Sequence, residues 1–220
     1  TSGGDAPGMN AAIHAAVLTA KANGLQVIGV YKGYAGLIEG RLAEIRSKQV
    51  RGIVNQGGTI LKTARCAAMK TEEGQKQAVK VLEAFGVDGL IVIGGDGSFK
   101  GAQILSHMGI PAIGLPGTID NDLAYTEFTI GFDTAVNGVT EEIAKIRETM
   151  LSHERIGVIE VMGNKCGDIA LHAGVAGEAE YILLPEVEFD VDAICESLQH
   201  RRIKGNMTSI IVISEGAGKG

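Results

Sequence analysis

Short apolar runs recur along the chain at Leu25 to Val30, Leu90 to Ile93, Ala112 to Leu115, Ile156 to Val161, Tyr181 to Leu184 and Ile210 to Ile213. Unbroken runs of this length, rich in β-branched residues, predict strands buried on both faces of a sheet. Between them the apolar positions take helical spacing: Ala135, Val139, Ile143, Ile146 and Met150 recur every three or four residues and share one helix face. Strand and helix alternate, so the expected class is α/β with parallel sheets. The first helix is expected to start near Pro7, which suits a first helical turn, and to end before Gly24, which suits a C-terminal cap. It would then open directly out of Gly3-Gly4-Asp5. No Pro- or Ser-rich linker divides the chain. The change from glycine-rich loops to a long helix places a boundary near Gly131, and no internal repeat or low-complexity tract stands out.

The 220 residues, 45% of them hydrophobic, suffice for a sizeable core. A net charge of -6 argues against nucleic acid as a main partner, because binding a phosphate backbone needs a concentrated basic face. No apolar stretch approaches the ~20 residues that cross a bilayer, and no signal-peptide pattern is present, so no membrane partner is expected. Cys66, Cys166 and Cys195 lie far apart without a CxxC pair, which disfavours a zinc site or a disulfide framework and fits a reducing cytoplasm. Cys66 and Cys166 stand in no context that marks a nucleophile. The chain opens at Thr1 without methionine and stops in Gly216-Ala217-Gly218-Lys219-Gly220, so a fragment is expected. Gly218-Lys219 looks like the end of a Walker A loop, but position 213 is isoleucine where that pattern needs glycine, and no Ser or Thr follows the lysine.

The candidate chemistry lies where the glycines fall. Gly94-Gly95-Asp96-Gly97-Ser98 follows one expected strand, and Gly114-Leu115-Pro116-Gly117-Thr118-Ile119-Asp120-Asn121-Asp122 overlaps and follows the next. In open α/β sheets ligands bind outside the carboxyl ends of strands, so both loops are expected to face one crevice. Glycine lets backbone N–H groups approach phosphate oxygens, and a helix starting just after adds partial positive charge. Gly3-Gly4 and Gly94 to Gly97 both meet that description, although any one glycine pair in isolation is more often a mere tight turn. Asp96 is placed to hold a magnesium ion, which is commonly bound by one or two carboxylates plus phosphates; a turn or helix-cap aspartate is the lesser alternative. A carboxylate from Asp120 or Asp122 suits the base that accepts the proton of an attacking hydroxyl in phosphoryl transfer, while Asp-Asn-Asp alone also reads as a turn.

Thr1-Ser2-Gly3-Gly4-Asp5-Ala6-Pro7-Gly8-Met9-Asn10, Gly94-Gly95-Asp96-Gly97-Ser98 and Pro116-Gly117-Thr118-Ile119-Asp120-Asn121-Asp122 together closely resemble the 6-phosphofructokinases. Val161-Met162-Gly163, Pro185-Glu186-Val187-Glu188-Phe189 and Ser214-Glu215 extend the resemblance over nearly the whole chain. Gly-Gly-Asp-Gly followed by Ser or Thr also occurs in NAD kinases and lipid kinases; Gly-Thr-Ile-Asp-Asn-Asp at this spacing is far more specific. The resemblance implies two Rossmann-like α/β/α domains with mainly parallel sheets: residues 1–130 binding ATP and magnesium, and residues 131–220, an incomplete domain, binding fructose 6-phosphate. It implies a strand before Thr1 and sugar-phosphate ligands beyond Gly220.

The resemblance further implies Asp120 as the catalytic base, with Thr118 contacting the transferring group and Asp122 beside it. ATP would be bound at Gly4, Arg65, Cys66, Gly95, Asp96, Gly97 and Ser98, with Mg2+ on Asp96. Fructose 6-phosphate would meet Thr118, Ile119, Asp120, Met162, Gly163, Asn164 and Glu215, while Arg155 reaches over from a neighbouring subunit, which implies a homotetramer. Position 164 is asparagine where most members carry arginine. The effector pocket for ADP or phosphoenolpyruvate would keep Arg147, Glu180 and Lys204 but carry His14, Leu18 and Ser47 where arginines are usual, so altered regulation is expected. Gly97 and Gly117 favour ATP over pyrophosphate, whose users carry aspartate and lysine there. A pyrophosphate-dependent enzyme and a catalytically silent sensor on the same fold are the alternatives.

Overall fold

The computed structural model describes residues 1–218. The chain divides into two compact units: one holds Thr1–Thr118 and Leu123–Gly131, the other Ile119–Asp122 and the residues from Phe132 onward. A cut after residue 130 leaves Ile119–Asp122 in the first unit, whereas the chain in fact crosses to the second unit for these four residues and returns before crossing again at Phe132.

The first unit contains, in chain order, α1 (Met9–Ala22), β1 (Ile28–Val30), α2 (Gly33–Ile38), β2 (Leu42–Glu44), α3 (Glu72–Ala84), β3 (Leu90–Gly94), α4 (Asp96–His107), β4 (Ala112–Thr118) and β5 (Ile130–Gly131). β1 and β2 pair antiparallel, with Gly29 opposite Ala43. β3, β4 and β5 form a parallel sheet in that order, with Val92 opposite Gly114 and Thr118 opposite Gly131. Thr71 caps α3 by accepting a hydrogen bond from the Gly74 N–H. The buried faces of α3 (Ala78, Leu82) and α4 (Ala102, Leu105) close on Val92 of β3 and on Tyr34 and Leu37 of α2.

Two expectations need correcting here. The first helix opens at Met9 rather than near Pro7, because Gly8 takes a left-handed backbone, φ 87°, that cannot belong to an α-helix. Ala6, Pro7 and Gly8 thus separate Gly3-Gly4-Asp5 from the helix N-terminus. The strands are also not buried on both faces: Ile91 is 48% and Ile113 66% exposed. The β1–β2 pair and the β3–β4–β5 sheet share no ladder, and Ile28, Ile91 and Ile113 line an apolar cavity of ≈540 Å³ with Ile13, Val17 and Leu82.

The second unit contains α5 (Phe132–His153), β6 (Ile156–Val161), α6 (Asp168–Ala176), β7 (Tyr181–Leu183), α7 (Val191–Ile203) and β8 (Ser209–Ser214). Its sheet is parallel in the order β6-β8-β7. The α5 stripe read from the spacing packs as a unit: Ala135, Val139, Ile143, Ile146 and Met150 meet Val161, Ile210 and Val212 of the sheet and Ile169 and Ala173 of α6. Asp190 caps α7 by accepting from the Asp192 and Ala193 N–H groups. Val158 of β6 is 65% exposed, so this sheet too is covered unevenly. The α/β class with mainly parallel sheets is what the structure shows.

Candidate active site

In the first unit, β3 ends at Gly94 and α4 begins at Asp96 with Gly95 as its cap, so the unpaired N–H groups of a twelve-residue helix open at this turn. The loop of Ser2 to Gly4 is fastened to it. The Ser2 N–H donates to the Ile93 carbonyl at 3.2 Å, and the Ser98 hydroxyl donates to the Ser2 carbonyl at 2.8 Å. Thr63 Oγ1 donates to the Gly3 carbonyl at 2.8 Å. Thr118 adjoins the same turn: a β-carbon at Gly95 would stand 3.5 Å from that of Thr118. Gly4, Gly95, Asp96, Gly97, Ser98 and Thr118 are therefore drawn to one end of the sheet. Arg65 is exposed, and Cys66 packs partly against the core of the unit.

The glycines of these loops have different reasons. A β-carbon at Gly94 would lie 2.5 Å from Ser98 Oγ, and one at Gly117 would lie 2.9 Å from Ile93 Cγ2 and 3.3 Å from Met9 Cε, so packing demands both. At Gly4 and Gly97, chain neighbours and the helix's own backbone aside, no atom of the described residues comes within 4 Å of that position. The fold leaves space there beside bare backbone, which is what an approaching phosphate needs. Asp96 is exposed and forms an ion pair with Lys100 Nζ at 2.6 Å, a surface pair of small net worth. Among the described residues no group of three or more His, Cys, Asp or Glu can hold a metal. A single accessible carboxylate is nevertheless a fitting donor for Mg2+, which takes its other ligands from phosphate and water.

In the second unit, Asp120 is half-buried and its carboxyl is pushed above the usual carboxylate range, first by burial and then by the negative charges of Asp122 and Glu215. Three carboxylates thus gather where the Ile119–Asp122 excursion meets the end of β8. Ile119 packs against the core of this unit. Glu215 Oε1 accepts from the Gly163 N–H at 3.1 Å and the Asn164 N–H at 2.8 Å, fixing the loop after β6. Asn164 has φ 57°, a left-handed conformation that asparagine tolerates better than arginine does. The asparagine at this position therefore has a backbone reason. Met162 is 63% exposed, and Arg155 is exposed just before β6.

The residues expected at an effector pocket fall in both units. His14 Nδ1 lies 2.7 Å from the Val50 carbonyl in the first unit. In the second, Arg147 donates to the Gly177 and Glu178 carbonyls at 2.7 and 2.6 Å, closing the end of α6. Glu180 accepts from the Ile210 N–H at 2.6 Å and from Arg201 at 3.2 Å, while Lys204 is exposed at the end of α7. Lys219 lies outside the described residues.

Compared with known proteins, residues 1–220 match the family model described as phosphofructokinase. The chain belongs to the phosphofructokinase family. An ATP-dependent 6-phosphofructokinase of Clostridium botulinum is 56% identical over 218 residues, 99% of this chain and 68% of that protein. One from Clostridium novyi is 54% identical over 220 residues, 100% of this chain and 69% of that protein. A solved structure of phosphofructokinase from Saccharomyces cerevisiae superposes with a TM-score of 0.91 at 39% identity, covering 98% of this chain and 33% of that one. The chain spans about a third of the yeast chain.

Contacts of three residues in the two units were not foreseen in the sequence, although Glu186 lies in the Pro185-Glu186-Val187-Glu188-Phe189 motif. Asp168 accepts from Asn121 Nδ2 at 2.8 Å. Glu186 accepts from the Gly167 N–H at 2.8 Å. The buried Tyr34 hydroxyl donates to the Ser98 carbonyl at 2.6 Å, bracing the first turn of α4. The one available signal was Asp168 itself, an acid at the position expected of a helix first turn.

Proposed function

We propose that this protein transfers the γ-phosphoryl group of ATP to the 1-hydroxyl of fructose 6-phosphate, giving fructose 1,6-bisphosphate and ADP. The observation that carries the reading is the half-buried Asp120, whose carboxyl is raised by burial and by its acidic neighbours. A carboxylate so raised is a stronger base than an exposed one, suited to accept the proton of the attacking hydroxyl. Thr118, two residues earlier, contacts the transferring group. The bare backbone at Gly4 and Gly97 and the start of α4 bind the phosphates of ATP, with Arg65 as a further cation. Bound Mg2+, with Asp96 as its protein ligand, neutralises phosphate charge. Met162, Gly163 and Glu215 receive the sugar phosphate; one Glu215 oxygen holds the loop of Gly163 and Asn164.

The assembly in this reading is a cytoplasmic homotetramer in which the exposed Arg155 serves the site of a neighbouring subunit. Regulation by ADP or phosphoenolpyruvate is blunted, because Arg147 and Glu180 are engaged with the chain itself and positions 14, 18 and 47 carry no arginine. The open space at Gly97 favours ATP over pyrophosphate as donor. Asn164 is the one feature that favours a silent sensor.

The test is product analysis with fructose 6-phosphate, Mg2+ and either γ-labelled ATP or labelled pyrophosphate. The expected result is label at the 1-position of fructose 1,6-bisphosphate. Release of labelled phosphate alone, or labelling only from pyrophosphate, would overturn the reading.

A further inference from the structure

The Asp120-Asn121-Asp122 turn poses a mechanical problem. Two like charges flank its central residue and a third, on Glu215, lies close enough to act on Asp120. Their mutual repulsion tends to splay the turn, and Asn121 at its centre holds a left-handed backbone with φ 54°. Something must hold the turn in register.

We propose that Asp168 is a positioning residue for the base: by accepting the Asn121 side-chain amide it pins the Asp120-Asn121-Asp122 turn to α6 and so sets where the Asp120 carboxylate lies. The inference rests on the reading of Asp120 as the base. The contact is 2.8 Å long, from Asn121 Nδ2 to Asp168 Oδ2, joins residues 47 apart and is partly buried. Asp168 stands on a firm platform, since Ile169, Ala170 and Ala173 of α6 are fully buried. The two residues before Asp168 are held as well: the Gly167 N–H donates to Glu186, and the Cys166 N–H donates to the Gly163 carbonyl at 2.9 Å. Burial, and then the negative charges of Asp168 and Glu186, push the Cys166 thiol up. Gly163 is bound in turn by Glu215, the carboxylate beside Asp120. Asn121 is thus tied to the N-terminus of α6, and the residues just before that helix are tied to the Gly163 loop that Glu215 holds.

A tether of this kind governs geometry rather than affinity. A base displaced by about 1 Å from its productive position loses on the order of a hundredfold in rate. Asp168 touches neither substrate nor nucleotide in this account, so its loss falls on kcat.

The experiment compares kcat, KM for both substrates and thermal midpoints for purified full-length wild type, Asp168→Asn, Asp168→Ala, Asn121→Ala and the double alanine variant. Asp168→Ala and Asn121→Ala are each expected to lower kcat by about ten- to a hundredfold per folded molecule, with KM for ATP within about threefold. Asp168→Asn keeps an acceptor oxygen and retains most of the activity, and the double variant is no worse than either single one. Asp168→Ala or Asn121→Ala within twofold of wild-type kcat, losses that multiply in the double variant, or Asp168→Asn as damaging as alanine would each overturn the proposal. Should Asp168→Ala fail to fold, Asn121→Ala and Asp168→Asn decide, since both leave an acceptor or an intact α6. An inactive wild type would overturn the functional reading along with the inference, whereas an active wild type with unaffected variants would overturn the inference alone.

Discussion

Replacing Gly97 by aspartate separates what the fold needs from what the nucleotide needs. Gly97 is the second residue of α4, and beyond its chain neighbours and its own helix backbone no atom of the described residues lies within 4 Å of where a β-carbon would stand. Substituting glycine in a helix recovers a few tenths of a kcal/mol of propensity, and a negative charge in the first turn interacts favourably with the helix dipole, so the sum is about +0.5 to +1.5 kcal/mol. Asp96 alongside returns part of this by like-charge repulsion, leaving stability unchanged or slightly raised. The effect on ATP has the opposite sign. One added negative charge about 5 Å from a phosphate, at an effective dielectric of about 20, is unfavourable by about 3 kcal/mol, or roughly a hundredfold in affinity. Thermal unfolding and a coupled assay at saturating fructose 6-phosphate measure the two effects on one preparation. The expected variant is as stable as wild type, or more so, with KM for ATP raised by about a hundredfold. A variant that unfolds several degrees earlier, or that keeps its KM for ATP, would refute the reasoning.

Gly117→Ala is expected to lower stability by about 1–2 kcal/mol in urea unfolding, because its β-carbon would press on the buried Ile93 and Met9 side chains. Tyr34→Phe removes the 2.6 Å hydrogen bond to the Ser98 carbonyl; a loss of about 1–2 kcal/mol in stability and a raised KM for ATP with little change in kcat are the expected outcomes. Asp120→Asn is expected to lower kcat by about 10²–10⁴. It should also raise the thermal midpoint at neutral pH: a carboxyl raised in the folded state opposes folding when ionised, and this penalty fades as pH falls from the raised value toward the ordinary ~3.9. The advantage of the variant over wild type should therefore vanish near pH 4. Glu215→Gln removes one of the charges raising Asp120, so the acid limb of the kcat/KM profile should move to lower pH.

What the chain discloses by itself follows from the range of the forces involved. The six apolar runs all contain strands, and the α5 stripe packs as its spacing requires, because both patterns record burial within a few consecutive residues. β2 and β5, of three and two residues, carry too short a pattern to be seen. The exposure of Ile91, Ile113 and Val158 depends on what covers each sheet, which residues along one strand do not encode. The glycine-rich turns and the carboxylates of the candidate site stand out because phosphate chemistry needs unusual residue types at fixed local spacing. The contacts that shape the site are invisible in the same way that the short strands are: Asn121 to Asp168 spans 47 residues, Glu215 to Asn164 spans 51, and Tyr34 to Ser98 spans 64. The excursion of Ile119–Asp122 into the second unit is likewise a property of packing, since nothing in the four residues marks a crossing.

The most direct test of the central claim is a coupled assay of the purified full-length protein with fructose 6-phosphate and Mg2+, ATP set against pyrophosphate, with Asp120→Ala alongside and ATP binding measured for both proteins. Turnover with ATP alone, lost in Asp120→Ala while that variant still binds ATP, is the predicted result. Turnover that survives in Asp120→Ala, or that requires pyrophosphate, would contradict the account.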